Sequence, residues 1–344
     1  MTSSSRPTVL ISTYLEPELV ERIRESADVD VAYEPDLLPI PRYRNDHHGA
    51  PRELTAQQSQ QWTVMLATAD IAFDFDWRSP ADLLTSAPKL RWVQATSAGI
   101  GGFVQRHRLD AGDVIFTTAA GTHATPLAEF AVAGALHFVK DVPGLLASQR
   151  AHHWQRHVSG VLAGRHAAVV GLGATGRRVA ELYSMVGVRV TGVGRPGGQY
   201  VLPAGAEQVS TGDLDALLPT VDILVLACPL TPATDNLINA DRVAALPAGA
   251  IVVNIARGQV IDETALTAAL ASGRLGGAAL DVFETEPLPS DSVLWDLPNV
   301  LVSPHSASTA ATENDFLTEL FIDNLRRYLA GEPLRNLYHA DRGY

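Results

Sequence analysis

The sequence predicts an α/β fold with two domains, each built on a parallel β-sheet. The chain has 344 residues, which is enough for two separate hydrophobic cores. Short apolar stretches typical of strands alternate with segments of helical periodicity along most of its length. A glycine-rich turn, "VVGLGATG", lies between one such strand and a helix. This alternation favours βαβ units, in which helices cover both faces of a parallel sheet.

The first domain is predicted from the N-terminal part of the chain. The run "TVLIS" is predicted to be a strand, "EPELVERIRESA" a helix, and "VDVAY", "IAFDF" and "LRWVQAT" further strands. The Pro-, Arg- and His-rich segment 34–62 is interpreted as an irregular excursion whose role stays open. Three arginines in it fit an exposed loop better than a subsite for an acidic substrate: Arg42, Arg44 and Arg52. Because Asp74 and Asp76 alternate with aromatic residues, we expect them to face solvent rather than form a catalytic pair.

The second part of the chain is predicted to begin with a long helix, "TPLAEFAVAGALHFVKDV". Thr125 is its expected N-cap and Pro126 its first helical residue. Strands are then predicted in "AAVVGLG", "VRVTGV", "DILVLACP", "AIVVNIARG", "GAALDVF" and "VLVSPH". A last helix, "ENDFLTELFIDNLRRYLAG", is expected to stop at Gly331.

Composition excludes several classes of protein. The formal net charge of −12 argues against non-specific binding to nucleic acid or to an anionic membrane surface. No apolar run approaches the ~18 residues of a spanning helix, and the N-terminus "MTSSSRPTVLIS" does not have the pattern of a signal peptide. Cys228 is the only cysteine, so no internal disulfide can form and a cytoplasmic location is expected.

The glycine-rich turn has the G-x-G-x-x-G spacing of a phosphate-binding turn. The first glycine permits a tight turn, the second lets the backbone approach a pyrophosphate, and the third lets the helix pack on the strand. Backbone N–H groups at the start of the helix then face the phosphate oxygens. The sequence therefore predicts a dinucleotide site, with a purely structural turn as the alternative; its residues are Gly171, Gly173, Ala174, Thr175 and Gly176.

Three later strands end in residues suited to carbonyl chemistry. Arg257 follows "VVNIA", Glu286 follows "ALDVFET", and His305 follows "VLVSP". Ligands of open α/β sheets bind at the carboxyl ends of the strands, so these side chains are expected to lie together. A histidine beside a carboxylate suits proton transfer, and an arginine can bind a carboxylate or polarise a carbonyl.

With these motifs the chain resembles the D-isomer-specific 2-hydroxyacid dehydrogenase family, in its glyoxylate/hydroxypyruvate reductase-like branch. "VVGLGATG", "NIARGQVIDE", "ALDVFETEPLP" and "SPH" occur in the order and spacing of that family. The resemblance implies two Rossmann-like or flavodoxin-like domains with parallel sheets. Residues 1–118 and 308–344 would form a discontinuous substrate-binding domain, and residues 119–307 an NAD(P)-binding Rossmann domain. The helical segment from Pro126 to Leu146 would be the contact of a homodimer.

The resemblance also implies a reaction, the reduction of a 2-oxo acid to a D-2-hydroxy acid. Arg257 would hold and polarise the 2-oxo acid, His305 would protonate its carbonyl oxygen, and Glu286 would pair with that histidine. The loop "TSAGIGG" matches the family's substrate-carboxylate loop, with candidate backbone N–H donors at Ala98, Gly99 and Ile100. Further residues at strand ends are expected to contact the dinucleotide: Cys228, Pro229, Thr234, Ile255, Ala256, Arg257, Asp281 and His305. Cys228 is expected to be a small packing residue rather than a nucleophile.

Cofactor choice is predicted from the end of the second strand of this domain, "VRVTGVGRPGG". NAD-specific sheets carry an acid there, about twenty residues after the first glycine of the turn, and this chain has Gly194. A glycine removes the repulsion of a 2′-phosphate and is expected to leave room for it. Arg195 would bind that phosphate, so NADP is expected to be preferred over NAD. The alternative is a solvated arginine and an enzyme that takes either cofactor.

Other interpretations remain open. Glyoxylate or hydroxypyruvate is the default substrate, and a bulkier 2-oxo acid is the alternative. Formate oxidation is disfavoured because that branch has glutamine in place of Glu286, and regulated phosphoglycerate oxidation because no C-terminal regulatory domain is expected. A nucleotide-gated, redox-sensing interaction protein on the same fold is the competing class. Three histidines fit a solvated helix end better than a metal site, and no metal is expected: His152, His153 and His157.

Overall fold

The structure is a computed structural model that describes residues 6–340. Residues 1–5, which belong to the N-terminus judged unlike a signal peptide, lie outside the described residues, as do residues 341–344. In chain order the first elements are β1 (Thr8–Ile11), α1 (Pro17–Ser26), β2 (Asp30–Ala32), α2 (Ala56–Thr68), β3 (Ile71–Phe73), α3 (Leu83–Ser86), β4 (Trp92–Gln94), α4 (Gly101–Arg106) and β5 (Ile115–Thr117). They are followed by α5 (Ala124–Val139), α6 (Val142–Arg150), β6 (His166–Val170), α7 (Ala174–Met185), β7 (Arg189–Gly194), β8 (Glu207–Ser210), α8 (Leu214–Leu217), β9 (Ile223–Leu226), α9 (Ala240–Ala245), β10 (Ile251–Asn254), α10 (Glu263–Ala271), β11 (Gly277–Leu280), β12 (Val300–Val302) and α11 (Glu313–Ala330).

These elements form two compact units. The first unit comprises Met1–His123 and Thr309–Tyr344, and the second comprises Ala124–Ser308. Each contains one sheet, and every strand pair in both sheets is parallel. The predicted fold class of two parallel α/β domains is therefore confirmed.

The first unit has a five-stranded sheet in the order β2-β1-β3-β4-β5, which is the flavodoxin-like order. Side chains of successive strand residues alternate between its faces, so each face buries its own apolar cluster. On one face α11 returns to pack against α1, with Leu317 and Phe321 buried beside Ile23. An exposed ion pair of 3.1 Å between Arg22 and Asp315 joins the same two helices.

The second unit has a seven-stranded sheet in the order β12-β11-β10-β9-β6-β7-β8. The sequences of its central strands are nearly continuous apolar runs, as expected for strands that helices cover on both faces. Val169, Val225 and Val253 pack on one face with α5 and α7, whereas their neighbours Val170 and Leu226 pack on the other. This arrangement brings the carboxyl ends of β6, β9, β10 and β11 to one edge of the sheet.

The long helix of the second unit differs from the prediction. It begins at Ala124, so Thr125 is inside the helix and is not its N-cap. The segment from Pro126 to Leu146 is also interrupted, because Asp141 takes a left-handed conformation and caps a separate helix, α6. Within residues 6–340 no single helix is long and apolar enough to cross a membrane; α5 and α6 meet that test only together, with a bend of 62° between them.

The excursion 34–62 is more ordered than predicted. Its last part belongs to α2. Thr55 is the N-cap of this helix and forms a capping box. Before it, residues 40–50 form a loop closed by the antiparallel bridge of Ile40 with Ala50. Arg42 is half-exposed and makes two hydrogen bonds of 2.7 and 3.0 Å to the buried carboxylate of Asp46. Burial raises the pKa of Asp46, but its hydrogen bonds from Arg42 and from the N–H of Gly49 lower it to about 2.

The prediction that Asp74 and Asp76 face solvent is wrong, because both are buried. Strand β3 ends at Phe73, and Asp74 has a φ of 72°, which breaks the alternation of the strand. The carboxylate of Asp74 turns inward and accepts a 2.8 Å hydrogen bond from the indole of Trp77. Asp76 accepts from the backbone N–H of Arg78. Both aspartates therefore stabilise the chain after β3 rather than extend into solvent.

Candidate active site

The glycine-rich turn between β6 and α7 has the geometry of a phosphate cradle. Gly171 has a φ of 97°, and a Cβ atom built on Gly176 would lie 1.7 Å from the carbonyl oxygen of Gly171. No side chain is compatible with that approach. A Cβ atom on Gly173, in contrast, would meet no atom within 4 Å. Helix α7 begins at the next residue and has no side-chain cap, so its first N–H groups suit an anion above Gly173.

The residues predicted around this turn follow the carboxyl ends of adjacent strands. Cys228 and Pro229 follow β9, Ile255 and Ala256 follow β10, and Asp281 follows β11. The hydroxyl of Thr234 folds the loop after β9 by donating to the carbonyl of Pro229 over 2.6 Å. These positions fit a dinucleotide lying across the strand ends, and their contacts with it remain predictions.

Cys228 packs in the core beneath this edge. Its side chain is 6% exposed and belongs to the apolar cluster on one face of the seven-stranded sheet. Burial raises the pKa of the thiol to about 11, so it is neutral near pH 7. Since the thiolate is the nucleophilic form, this environment supports a packing role.

Arg257 is positioned by a close approach of two loops. A Cβ atom on the next residue, Gly258, would lie 1.9 Å from the carbonyl carbon of Phe283. Only glycine lets the loop after β10 lie against the loop that carries Glu286. The guanidinium donates to the carbonyl of Ala256 over 2.7 Å. Burial lowers the pKa of Arg257 while the charges of Glu286 and Asp281 raise it, and an arginine stays charged in any case.

Glu286 and His305 form a hydrogen-bonded pair. Nδ1 of His305 lies 2.7 Å from Oε2 of Glu286, and Oε1 of Glu286 accepts from the N–H of Phe283 over 3.0 Å. Burial raises the pKa of Glu286, but its hydrogen bonds from His305 and Phe283 and the charge of Arg257 bring it below the ordinary value. Glu286 is therefore an ionised acceptor, and Nδ1 of His305 is the donor. In this tautomer the neutral imidazole keeps its lone pair on Nε2.

Asp281 fixes the backbone around His305. Its carbonyl accepts from the N–H of His305 over 2.9 Å, and its buried carboxylate accepts from Ser303 Oγ and from the N–H groups of Ser306 and Ala307. Burial raises the pKa of Asp281, against the effect of these hydrogen bonds. His305 itself has a φ of 54°, which histidine tolerates better than most residues. The sequence named Asp281 only as a cofactor contact, and its bonds to the "SPHSA" segment were missed.

The structure at the end of β7 contradicts the expectation that Gly194 leaves room for a 2′-phosphate. A Cβ atom there would lie 2.3 Å from Cε2 of Tyr200, so the space beside Gly194 holds an aromatic ring and is not open. Arg195 follows directly and is exposed. The position of Tyr200 beside Gly194 was not predicted, because the chain turns back between the two residues.

The loop predicted to bind the substrate carboxylate belongs to the first unit and follows β4. Ala98 and Gly99 are exposed, whereas Ile100 is buried and precedes α4. The N–H of Thr96, just before the loop, lies 3.4 Å from a carboxylate oxygen of Asp74. The role of the three backbone N–H groups as anion donors stays a prediction.

The histidines considered for a metal site are exposed on the chain after α6. His157 lies 3.9 Å from Asp141. In the part of the chain that the structure describes, no group of three or more His, Cys, Asp or Glu side chains could hold a metal ion.

Comparison with known proteins identifies the class. The sequence profile described as "D-isomer specific 2-hydroxyacid dehydrogenase, NAD binding domain" matches residues 132–307. A crystal structure of a D-isomer specific 2-hydroxyacid dehydrogenase from Xanthobacter autotrophicus Py2, in complex with NADPH and MES, aligns with a TM-score of 0.79, 30% identity and coverage of 99% of this chain and 100% of that one. The chain belongs to the D-isomer specific 2-hydroxyacid dehydrogenase family, which confirms the resemblance and the NAD-binding domain.

Two curated relatives are named as particular enzymes. The chain is 33% identical over 303 residues to glyoxylate/hydroxypyruvate reductase B of Pectobacterium carotovorum, which covers 86% of this chain and 93% of that protein. It is 36% identical over 256 residues to D-3-phosphoglycerate dehydrogenase of Mycobacterium tuberculosis, which covers 73% of this chain and 47% of that protein. The chain thus spans about half the length of the D-3-phosphoglycerate dehydrogenases that it matches.

Proposed function

We propose that this protein reduces a small 2-oxo acid to a D-2-hydroxy acid, with NADPH as the preferred reductant. The observation that carries the proposal is the 2.7 Å pair of His305 and Glu286, placed next to Arg257. The three side chains follow strands of the same sheet that bears the phosphate cradle. A proton donor, an orienting carboxylate and a fixed positive charge are the groups that carbonyl reduction requires.

The proposed mechanism assigns one task to each side chain. The guanidinium of Arg257 binds the 2-oxo acid and polarises its carbonyl as negative charge develops on oxygen. Protonated His305 transfers the proton from Nε2 to that oxygen, and ionised Glu286 stabilises the imidazolium through Nδ1–H. A nicotinamide dinucleotide held at the glycine-rich turn between β6 and α7 would supply the hydride for the carbonyl carbon. One hydride and one proton added to the C=O bond give the 2-hydroxy acid.

Glyoxylate or hydroxypyruvate is the proposed substrate class. One relative of nearly the same length, 33% identical to this chain, is a glyoxylate/hydroxypyruvate reductase, which supports a small side chain on the 2-oxo acid. A bulkier 2-oxo acid and 3-phosphohydroxypyruvate are the competing substrates. 3-Phosphohydroxypyruvate is included because the relatives of which this chain spans about half are named D-3-phosphoglycerate dehydrogenases.

The preference for NADPH rests on the end of β7. Gly194 stands where NAD-selecting sheets place an acid, and Arg195 follows it with a permanently charged guanidinium. An arginine fork is suited to the 2′-phosphate of NADPH. The Xanthobacter relative was crystallised with NADPH, which agrees with this choice.

We also propose a two-fold homodimer. Helix α5 buries Ala128, Ala131 and Ala135 in its own unit, so its apolar character alone does not require a partner. The chain that follows α6 is different, since Trp154 is 94% exposed and Val158 98% exposed. Exposed apolar side chains grouped in one segment favour a contact with a second copy.

A substrate panel tests the proposed function. Purified protein is given NADPH and, in separate reactions, glyoxylate, hydroxypyruvate, phenylpyruvate and 3-phosphohydroxypyruvate, and loss of nicotinamide absorbance is followed. The proposal expects the highest kcat/KM with one of the first two acids. A protein that binds NADPH but turns over none of the four would instead support the redox-sensing alternative.

A further inference from the structure

The segment after β7 is a fixed turn. Arg195, Pro196, Gly197 and Gly198 form a β-turn in which the N–H of Gly198 donates to the carbonyl of Arg195 over 3.1 Å. Proline at the second position and glycine with a φ of 72° at the third are typical of a type II turn. The turn reverses the chain, so that the residues after it return alongside the end of β7.

Gln208 of β8 holds this returning segment at two points. Its side-chain oxygen accepts from the N–H of Tyr200 over 3.2 Å, and its side-chain nitrogen donates to the carbonyl of Gly198 over 2.6 Å. Gln208 pairs in register with Gly192 of β7, so the segment is anchored to the sheet itself. The two bonds fix the backbone on both sides of residue 199.

The anchored segment places the ring of Tyr200 against two glycines. A Cβ atom on Gly194 would lie 2.3 Å from Cε2 of Tyr200, and a Cβ atom on Gly198 would lie 2.7 Å from both Cε2 and Oη. Contacts below 3 Å require the ring to move. The ring therefore occupies the volume that any side chain at position 194 would need.

We infer that Tyr200 is a specificity-determining residue for the dinucleotide. An acidic side chain at the end of β7 would have to displace this ring, and such an acid would bind the ribose hydroxyls of NAD and repel the 2′-phosphate of NADP. Packed between Gly194 and Gly198, the ring also fixes the turn that begins with Arg195. This inference rests on the proposed preference for NADPH and adds to it the group that maintains the preference.

The inference predicts that positions 194 and 200 are energetically coupled. Kd is measured for four proteins: the parent, Gly194→Asp, Tyr200→Ala and the double variant. The probes are 2′,5′-ADP and 5′-AMP, which carry and lack the 2′-phosphate and need no reaction, together with NADH. Gly194→Asp alone is expected to weaken all three probes, because the new carboxylate displaces the ring and the turn. Adding Tyr200→Ala is expected to tighten NADH binding by about tenfold or more, while 2′,5′-ADP stays weak.

Two matched double variants test whether the ring itself is responsible. Gly194→Asp with Tyr200→Phe keeps the ring and is expected to bind NADH as weakly as Gly194→Asp alone. Gly194→Asp with Val201→Ala truncates an exposed neighbour and is expected to do the same. The inference is overturned if Gly194→Asp binds NADH as tightly as its combination with Tyr200→Ala. Rescue by Val201→Ala would also overturn it, since general loosening of the segment would then explain the effect.

If Gly194→Asp does not fold, the single variant Tyr200→Ala still tests the inference. It is expected to reduce the preference for 2′,5′-ADP over 5′-AMP by about fivefold or more, because the turn that presents Arg195 loses its support. An unchanged preference would contradict the inference. A parent that binds 5′-AMP as tightly as 2′,5′-ADP would refute the proposed NADPH preference instead, and the coupling of positions 194 and 200 would still be measured with NADH.

Discussion

Nδ1 of His305 donates to Oε2 of Glu286 over 2.7 Å, although the two residues are 19 positions apart and follow different strands. The pair is partly open to solvent, with 42% of the His305 side chain and 35% of the Glu286 side chain exposed. An open pair of this kind contributes little to stability. The short hydrogen bond instead fixes one tautomer of the imidazole, with the proton on Nδ1.

Replacing Glu286 with glutamine tests this orientation. The amide has the same shape but lacks the charge that stabilises an imidazolium, so kcat is expected to fall by about one to three orders of magnitude. The Kd for NADPH, read by fluorescence titration, is expected to stay within about threefold. Glu284→Gln, two residues earlier and exposed, is the matched control. A Glu286→Gln enzyme with the parent's kcat would show that the carboxylate is dispensable.

Replacing Arg195 with alanine tests cofactor choice. Loss of the guanidinium is expected to lower kcat/KM with NADPH by about tenfold or more, and to change kcat/KM with NADH little. Arg189→Ala, at the other end of β7, controls for the loss of a positive charge. If the parent prefers NADH, or if the ratio of the two efficiencies does not change in Arg195→Ala, the assignment of Arg195 is wrong.

The proposed dimer predicts a measurable mass. Light scattering at micromolar concentration is expected to give twice the chain mass for the parent. Trp154→Gln removes the largest side chain of the exposed segment after α6 and is expected to shift the population toward monomer. Val64→Gln changes an exposed apolar residue on α2 and is expected to leave the mass unchanged. A monomeric parent would end the proposal.

Stability in the first unit is expected to depend on pH through His47. Burial lowers the pKa of His47 below its ordinary value. The charges of Asp74 and Glu313 act in the opposite direction, whereas His123 and His48 add to the lowering. His47 is therefore neutral in both the folded and the unfolded state at pH about 7.5, and below about 6.5 the unfolded state takes up its proton first. The free energy of unfolding is expected to fall as the pH is lowered through this range toward the folded pKa.

Urea unfolding at pH about 7.5 and about 5.5 measures this dependence. His47→Gln is expected to show a smaller loss between the two pH values than the parent, because its side chain does not titrate. His339→Gln, an exposed histidine of the same unit, is the control and is expected to match the parent. Equal losses in the parent and in His47→Gln would show that the buried imidazole does not contribute.

The sequence predicted the parts of the fold that depend on local pattern. Strands β6, β9 and β10 are uninterrupted apolar runs, and polar or glycine residues mark their ends, so the edge bearing Arg257 could be located. Strand β8 was missed because "EQVS" is a polar, half-exposed edge strand with no apolar pattern.

The missed parts of the site depend on contacts that local pattern does not encode. Asp74 leaves the strand alternation through its backbone angle, and Tyr200 reaches Gly194 only because a turn and Gln208 bring it back. The close approach of Gly258 to Phe283 depends on the loop after the next strand, which no nearby residue specifies.

Turnover of the variant His305→Asn decides whether His305 donates the proton in carbonyl reduction. The measurement is kcat for the best 2-oxo acid of the panel at saturating NADPH, for the parent and for the variant. The Kd for NADPH is determined on both proteins. We expect kcat to fall by about two to four orders of magnitude while the Kd changes little, because a general acid is lost. A variant that keeps more than about a tenth of the parent's kcat would show that His305 is not the proton donor.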